Sequence, residues 1–235
     1  MKLRWKRALL KLSGEVLGGK EGPLDRGAFS FYAKEIGRAR EAGAELGVVV
    51  GGGNVARGAA LTFLSATAGH TVGMLGTLLN GVALREFLLQ EGIPALLMSA
   101  LPVEGVAEPV DPWRAKEALT SGAVVIFAAG TGNPYVTTDT AAVIRALSVD
   151  AQVVLKASKV PGLFDDDPKK NPNAQLIPRL SHGEYLARGL RVMDGAAVAI
   201  AGENHLPIVI FQADQEGAVL EALLGKRGSL IGGEE

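Results

Sequence analysis

The chain has 235 residues, 48% of them hydrophobic, and its 24 basic and 25 acidic side chains leave a formal charge of -1. That is apolar material for a substantial core, in one large α/β domain or two small ones, and too even a charge balance for a nucleic-acid or anionic-membrane footprint; small ligands are the expected partners. With no cysteine, a disulfide framework and thiolate chemistry are excluded, and a reducing, cytoplasmic setting is expected.

In chain order, the opening MKLRWKRALLKLSGEVLGG sets basic residues before an apolar patch, but Lys11 and Glu15 interrupt any signal-peptide core, so no export is expected. Apolar runs and helical spacing then alternate. The pattern predicts strand Ala8–Leu12, helix Asp25–Glu41, strand Leu46–Val50, helix Gly73–Gln90, strand Ala95–Met98 and helix Pro112–Thr120. It continues with strand Val124–Ala128, helix Thr138–Leu147, strand Gln152–Leu155, helix Ser181–Arg188, strand Pro207–Phe211 and helix Gln215–Leu224. The most apolar long segment, Gly69 to Leu89, is broken by His70, Asn80, Arg85 and Glu86 and reads as a buried helix, short of a membrane span. Near-continuous apolar strands separated by helices predict a three-layer α/β/α sandwich with a mostly parallel central sheet. The polar stretch Asp165 to Pro178 reads as a surface loop within one domain.

Ligands of such sheets bind beyond the carboxyl ends of the strands, which selects the loops LSGEVLGG, GGGNVARG, AAGTGNPYVTTD and KASKVPGLFDDDP. Two familiar motifs are imitated there. GGGNVA satisfies the dinucleotide fingerprint, but no Asp or Glu lies between Leu46 and Arg85 to take the ribose hydroxyls. GEVLGGKE resembles a Walker loop, yet Glu21 stands where a hydroxyl should hold magnesium, and Gly22-Pro23 follows where a helix should start. What remains is four loop tips with exposed backbone and a few charges: Lys11, Ser13 and Gly14; Gly52, Gly53 and Arg57; Thr131 to Asp139; and Lys156, Ser158 and Asp167. Converging N–H groups and cations of this kind suit a transferring phosphoryl group. A lysine at a buried strand end, as in LLKLSG, is unusual in a purely structural role. Arg57 is equally a surface residue, one of Thr137, Thr138 and Asp139 could be a helix N-cap, and so could Asp194.

KLSGE, VVVGGGNVARG, GMLGTLLNG, GTGNPYVTTD, VVLKASKVPGLFDDDP and RVMD stand in the same order as in the bacterial uridylate (UMP) kinases of the amino-acid kinase superfamily, and the resemblance covers essentially the whole chain. It implies a single amino-acid kinase domain over residues 1–235, mainly UMP-binding in its N-terminal part and mainly ATP-binding from about residue 150. The implied reaction is phosphorylation of UMP by ATP, in pyrimidine nucleotide biosynthesis, with Mg2+ accompanying the ATP and no metal held directly by protein side chains. By resemblance, Lys11, Leu12, Ser13 and Gly14 contact the ATP phosphates with Gly53 and Arg57 beside them, and Ser158, Phe164 and Asp167 surround the ATP nucleoside. Gly52 and the run Thr131, Gly132, Asn133, Pro134, Tyr135, Val136, Thr137 and Thr138 would hold UMP. Asp194 matches an aspartate that orients the catalytic Lys11, and Asp139 a second active-site carboxylate; Arg57 completes the catalytic set. A homohexamer built from dimers packed on the Gly73 to Gln90 helix and feedback inhibition by UTP are also implied, with neither nucleic acid nor membrane as partner.

The chain departs from that family in places. His70 occupies the slot of an aspartate that usually bonds the UMP ribose, Pro161 stands where relatives often have aspartate, and Ser158 replaces a threonine. The altered loop GGKEGPLD does not support carrying over activation by GTP. Two other readings of the same fold are a kinase acting on a carboxylate or carbamate, against which TGNPYVTTD speaks, and a non-catalytic nucleotide sensor, which would be expected to lose the lysine or aspartates retained here.

Overall fold

The computed structural model describes residues 2–19, 22–56, 61–166, 170–171 and 173–233. Strands β1 (Arg7–Leu12), β2 (Glu45–Val50), β3 (Ala95–Ser99), β4 (Glu108–Pro109), β5 (Val124–Ala128), β6 (Val154–Ser158), β9 (Arg179–Leu180), β10 (Ile208–Gln212) and β11 (Ser229–Ile231) form one sheet in the order β4-β3-β5-β2-β1-β6-β10-β11-β9. Every neighbouring pair is parallel except β10 with β11. A two-stranded ribbon, β7 (Leu163–Phe164) with β8 (Leu176–Ile177), stands apart. The helices are α1 (Arg26–Glu41), α2 (Ala66–Gln90), α3 (Pro112–Thr120), α4 (Thr138–Ser148), α5 (His182–Ala187), α6 (Gly195–Glu203) and α7 (Ala218–Leu223).

Strand alternation sorts these into three layers. In β1, Ala8, Leu10 and Leu12 join the apolar cluster beneath α1, α2 and α7, while Leu9 joins the cluster beneath α3, α4, α5 and α6. Apolar residues on both faces explain why the strands read as unbroken hydrophobic runs. The order also fixes where a ligand crevice opens. From β1 the chain moves one way along the sheet, through β2, β5 and β3, and from β6 it moves the other way to β10. The switch point is the β1/β6 seam, the usual ligand position in open α/β sheets.

Differences from the expected elements have local causes. β6 begins two residues later than expected and runs through Lys156, because Gln152 is outside the ladder and its side-chain oxygen accepts the N–H groups of Lys6 and Arg7. α2 begins at Ala66, capped by Ser65, not at Gly73. Among the described residues it is the one helix long and apolar enough, by length and composition, to cross a membrane, which corrects the expectation that this segment falls short. Here it packs on α1, β3 and β5. β4, β7, β8, β9 and β11 were not expected, having too few residues for a periodicity, and α6 was anticipated only through Asp194 as a possible N-cap, which it is.

Candidate active site

Lys11 and Lys156 are register partners on β1 and β6, at the switch point. Lys11 shares the parity of Leu9, so both side chains lie on the α4/α6 side of the sheet. Two nearly buried ammonium groups on adjacent strands would repel, and one carboxylate resolves the conflict. Asp139, in the first turn of α4, places Oδ1 2.8 Å from Lys11 Nζ and Oδ2 2.5 Å from Lys156 Nζ. Burial alone would raise the Asp139 pKa, but the charges of Lys11 and then Lys156, with their hydrogen bonds, outweigh it and hold the carboxyl below its ordinary range. Burial pulls the Lys156 ammonium below the usual lysine range, with Asp139 opposing. The Lys156 ammonium also donates to the Val192 carbonyl at 2.5 Å. Lys11 has no protein partner other than Asp139 among the described residues, which leaves its remaining N–H groups for a ligand.

The far side of the cluster is built by α6. Asp194 caps that helix, accepting from Ala196 N–H, and its other oxygen accepts the hydroxyls of Thr137 and Thr140, each at 2.9 Å. Its own N–H donates to Asp139 Oδ2 at 3.2 Å. The resemblance made Asp194 the carboxylate that orients Lys11; the carboxylate that meets Lys11 is Asp139, and Asp194 ties the start of α4 to the start of α6. The fully buried Tyr185 hydroxyl donates to Met193 O and accepts from Met193 N–H, fixing the turn that supplies Val192 O and the Asp194 N–H.

Glycines close the opposite wall. A Cβ on Gly52 would lie 2.6 Å from Gly73 O and 2.8 Å from Thr77 N, and one on Gly14 would lie 2.5 Å from Gly53 N, so the loops after β1 and β2 and the helix α2 meet backbone to backbone. Asn54 and Asn80 exchange amide hydrogen bonds of 2.9 and 2.7 Å, and Asn80 also donates to Gly51 O. One cavity of about 440 Å3 is lined by Gly52, Gly53, His70, Val136 and Thr138 among others, and a second of about 360 Å3 by Gly18, Gly19 and Lys159. Glu15 and Gly53 line both.

The amino acid kinase family model matches residues 6–212. A uridylate kinase of Alcanivorax borkumensis is 46% identical over 232 residues, 97% of this chain and 92% of that protein. The chain belongs to the amino acid kinase family, among its uridylate kinases. A chloroplastic uridylate kinase of Arabidopsis thaliana is 44% identical, covering 98% of this chain and 70% of its own length. The crystal structure of UMP kinase from Bacillus anthracis shares the fold with a TM-score of 0.94 at 33% identity, over 98% of this chain and 97% of that one.

Within this uridylate kinase framework the expected site residues fall into groups. Gly52, Gly53, Val136 and Thr138 line the larger cavity, with His70 in the position expected of an aspartate. The His70 ring packs on that of Tyr135 at a centroid distance of 4.7 Å, and Tyr135 holds a left-handed φ of 66°. Thr131, Gly132 and Asn133 bond within their own turn, Asn133 N–H to Thr131 Oγ1 and Gly132 N–H to Ala129 O; Pro134 follows them. Thr137 caps α4 and reaches Asp194. Leu12 ends β1, and Ser13 caps the short 3-10 turn Gly14–Val16. Ser158 ends β6 and accepts from Val160 N–H, while Phe164 lies in the β7/β8 ribbon. Arg57 and Asp167 lie outside the described residues, as do Lys20 and Glu21 of the Walker-like loop. Tyr185, Asn54 and Asn80 received no role from the sequence, and Lys156 only a place among the loop-tip charges. The expected strand ended at Leu155, so Lys156 read as a loop residue and not, like Lys11, as a lysine inside an apolar strand.

Proposed function

We propose that this chain transfers the γ-phosphoryl group of ATP to UMP, releasing UDP and ADP. The observation that carries this reading is the Lys11–Asp139–Lys156 cluster at the β1/β6 seam. The attacking atom is a UMP phosphate oxygen, already anionic at neutral pH, so no base has to remove a proton. An oxygen–phosphorus bond forms to the γ-phosphorus as the bond to the β,γ-bridging oxygen breaks, and ADP leaves with that oxygen's charge. The obstacle is repulsion between the two phosphate groups. Lys11 meets the transferring group, and Lys156, tied down by Asp139 and Val192, adds fixed positive potential where water is excluded. Arg57 is proposed as a further phosphate contact. Asp139 and Asp194 position cations and helix ends and abstract no proton.

The larger cavity, beside His70 and Thr138, is proposed for UMP and the smaller, beside Lys159, for the ATP side, with the phosphates meeting at Gly53, which lines both. Ser158, Phe164 and Asp167 are the proposed nucleoside contacts of ATP, and Thr131 to Pro134 the proposed outer contacts of UMP. Magnesium would accompany ATP and screen its phosphates. Among the described residues no three His, Cys, Asp or Glu gather to hold a metal, and Asp139 is committed to two lysines. The residues therefore fit an ion held by nucleotide oxygens and water, as this cation commonly is. A homohexamer with a dimer contact on α2, UTP as competitor for the uridine site and a cytoplasmic setting complete the proposal.

The test is ADP release with UMP, CMP, AMP, glutamate and carbamate offered in turn, to the native chain and to Lys11→Ala. UMP alone should support rapid turnover, and Lys11→Ala should lower kcat by about a hundredfold or more. Turnover with glutamate and not UMP would overturn the substrate; undiminished UMP turnover in Lys11→Ala would overturn the mechanism.

A further inference from the structure

On the face of the sheet opposite the two lysines lies a cavity of about 290 Å3, at the lower end of small-ligand sites, which span about 300–1,000 Å3. Its floor includes Trp5 and Val209, both in the apolar cluster beneath α1 and α7, so the sheet itself separates it from the active site. Its rim carries four cations: Arg4, Arg179, Lys226 and Arg227.

The arrangement is built by packing. The Arg4 guanidinium lies 4.6 Å from the Trp5 ring centre, a stacking that orients it and leaves its N–H edge open. Gly225 makes room for this, since a Cβ there would lie 2.8 Å from Arg4 Cδ. Lys226 and Arg227 are presented by a turn bracketed by Gly225 and Gly228, with φ of 71° and 91°. A Cβ on Gly228 would lie 2.5 Å from Ile210 O, so the turn is fixed against β10. Arg227 pairs with Glu221 at 2.7 Å and Arg179 donates to Gly233 O at 3.2 Å. Arg4 and Lys226 meet no carboxylate among the described residues. In a chain whose formal charge is -1, Arg4 and Lys226 are a local excess of positive charge over an apolar floor.

We propose that this cavity is a second anion site, one that takes a polyphosphate chain, with a nucleoside triphosphate as the source whose nucleoside also uses the apolar floor. Guanidinium forks and an ammonium converging on one small cavity match clustered phosphate oxygens better than a single carboxylate. The site stands independently of the kinase reading.

Trp5 provides the readout. The chain has two tryptophans, and Trp113 is 80% exposed, so Trp113→Phe leaves Trp5 as the sole tryptophan, read with excitation selective for indole over the tyrosines. Inorganic triphosphate, ATP, UTP and a short oligoribonucleotide are titrated into this variant, and into the same variant carrying Lys11→Ala, Arg4→Ala or Lys226→Ala. A saturable change in Trp5 emission is expected with triphosphate, at lower concentration with the nucleotides. It should persist with Lys11→Ala and weaken at least tenfold with Arg4→Ala and with Lys226→Ala, both exposed positions whose unchanged thermal unfolding certifies the fold. No saturable response, a response abolished by Lys11→Ala and untouched by the rim variants, or a response to the oligoribonucleotide alone would overturn the proposal.

Discussion

Lys11 and Lys156 are paired across adjacent parallel strands, and Asp139 closes on both ammonium groups with its two oxygens. The arrangement is net positive with one carboxylate at its centre, so the two lysines depend on the same residue for their placement. Asp139→Ala should destabilise the fold by about 3–5 kcal/mol, because it leaves two buried ammonium groups without a counter-charge. Asp139→Asn keeps the shape and loses the charge, and should fold while turning over at least a hundredfold more slowly. Urea unfolding and ADP release measure the two effects separately.

The same carboxylate sets the acid limit of stability. Its folded pKa lies below the ordinary 3.8, so the unfolded chain binds its proton first. The contribution is fully present above the unfolded pKa and is lost as pH falls through the folded value. Native protein should therefore lose stability below about pH 4 more steeply than Asp139→Asn does. On the alkaline side, Lys156 titrates below the ordinary 10.5 because burial disfavours its charge. Turnover should fall with a midpoint below that value, and Lys156→Arg, which keeps its charge, should move the fall to higher pH. Unaltered alkaline behaviour in the arginine variant would detach Lys156 from the reaction.

Much of this was legible in the sequence, and what was missed shares a cause. Parallel strands buried on both faces announce themselves by composition, and Lys11 stood out because a charge in such a strand is unusual. Lys156 was marked only as a loop-tip charge beyond a strand expected to end at Leu155, because its pairing with Lys11 comes from register across 145 residues. Asp194 and Asp139 were both marked, yet which one meets the lysine depends on how α4 and α6 pack. The missed first turns of α2 hold Gly69, a poor helix former; further on, Gly76 is where that helix meets Gly52, since a Cβ there would lie 3.2 Å from Gly52 O.

That contact makes Gly52 a sensitive position. A methyl group there would meet Gly73 O at 2.6 Å and Thr77 N at 2.8 Å, both backbone atoms of α2 that cannot turn aside. Gly52→Ala should cost about 1–3 kcal/mol of stability through overpacking and, by moving the loop from the larger cavity, raise the KM for UMP more than that for ATP. Equal changes in both KM values would argue against assigning that cavity to UMP.

Glu35 makes a prediction about stability alone. This fully buried carboxylate on α1 accepts from Gly217 N–H at 2.8 Å and Val219 N–H at 3.3 Å, supplying the cap that α7 lacks in its own sequence, since Gly217 has no side chain to cap with. Arg38 donates to the same carboxylate at 2.7 Å. Glu35→Ala should lower the unfolding free energy by about 3 kcal/mol, the order expected when charge-assisted bonds to buried donors are lost. Glu35→Gln should recover part of it. The reaction rate of the folded fraction should stay close to native, because nothing in this cap reaches Lys11 or Lys156.

The exposed side of α2 tests the proposed assembly. Leu75 and Leu79, four residues apart on one helix face, are 46% and 53% exposed, and Leu89 near the helix end is 49% exposed. Fully burying a leucine contributes about 1.5–3 kcal/mol, so covering this face with a second copy of itself would stabilise a dimer twice over through two-fold symmetry. Leu79→Glu would place a carboxylate on that contact in both copies. Light scattering after gel filtration should show the native chain as an oligomer and Leu79→Glu at lower mass, with circular dichroism unchanged. A native monomer, or a variant that keeps its full mass, would remove α2 from the interface.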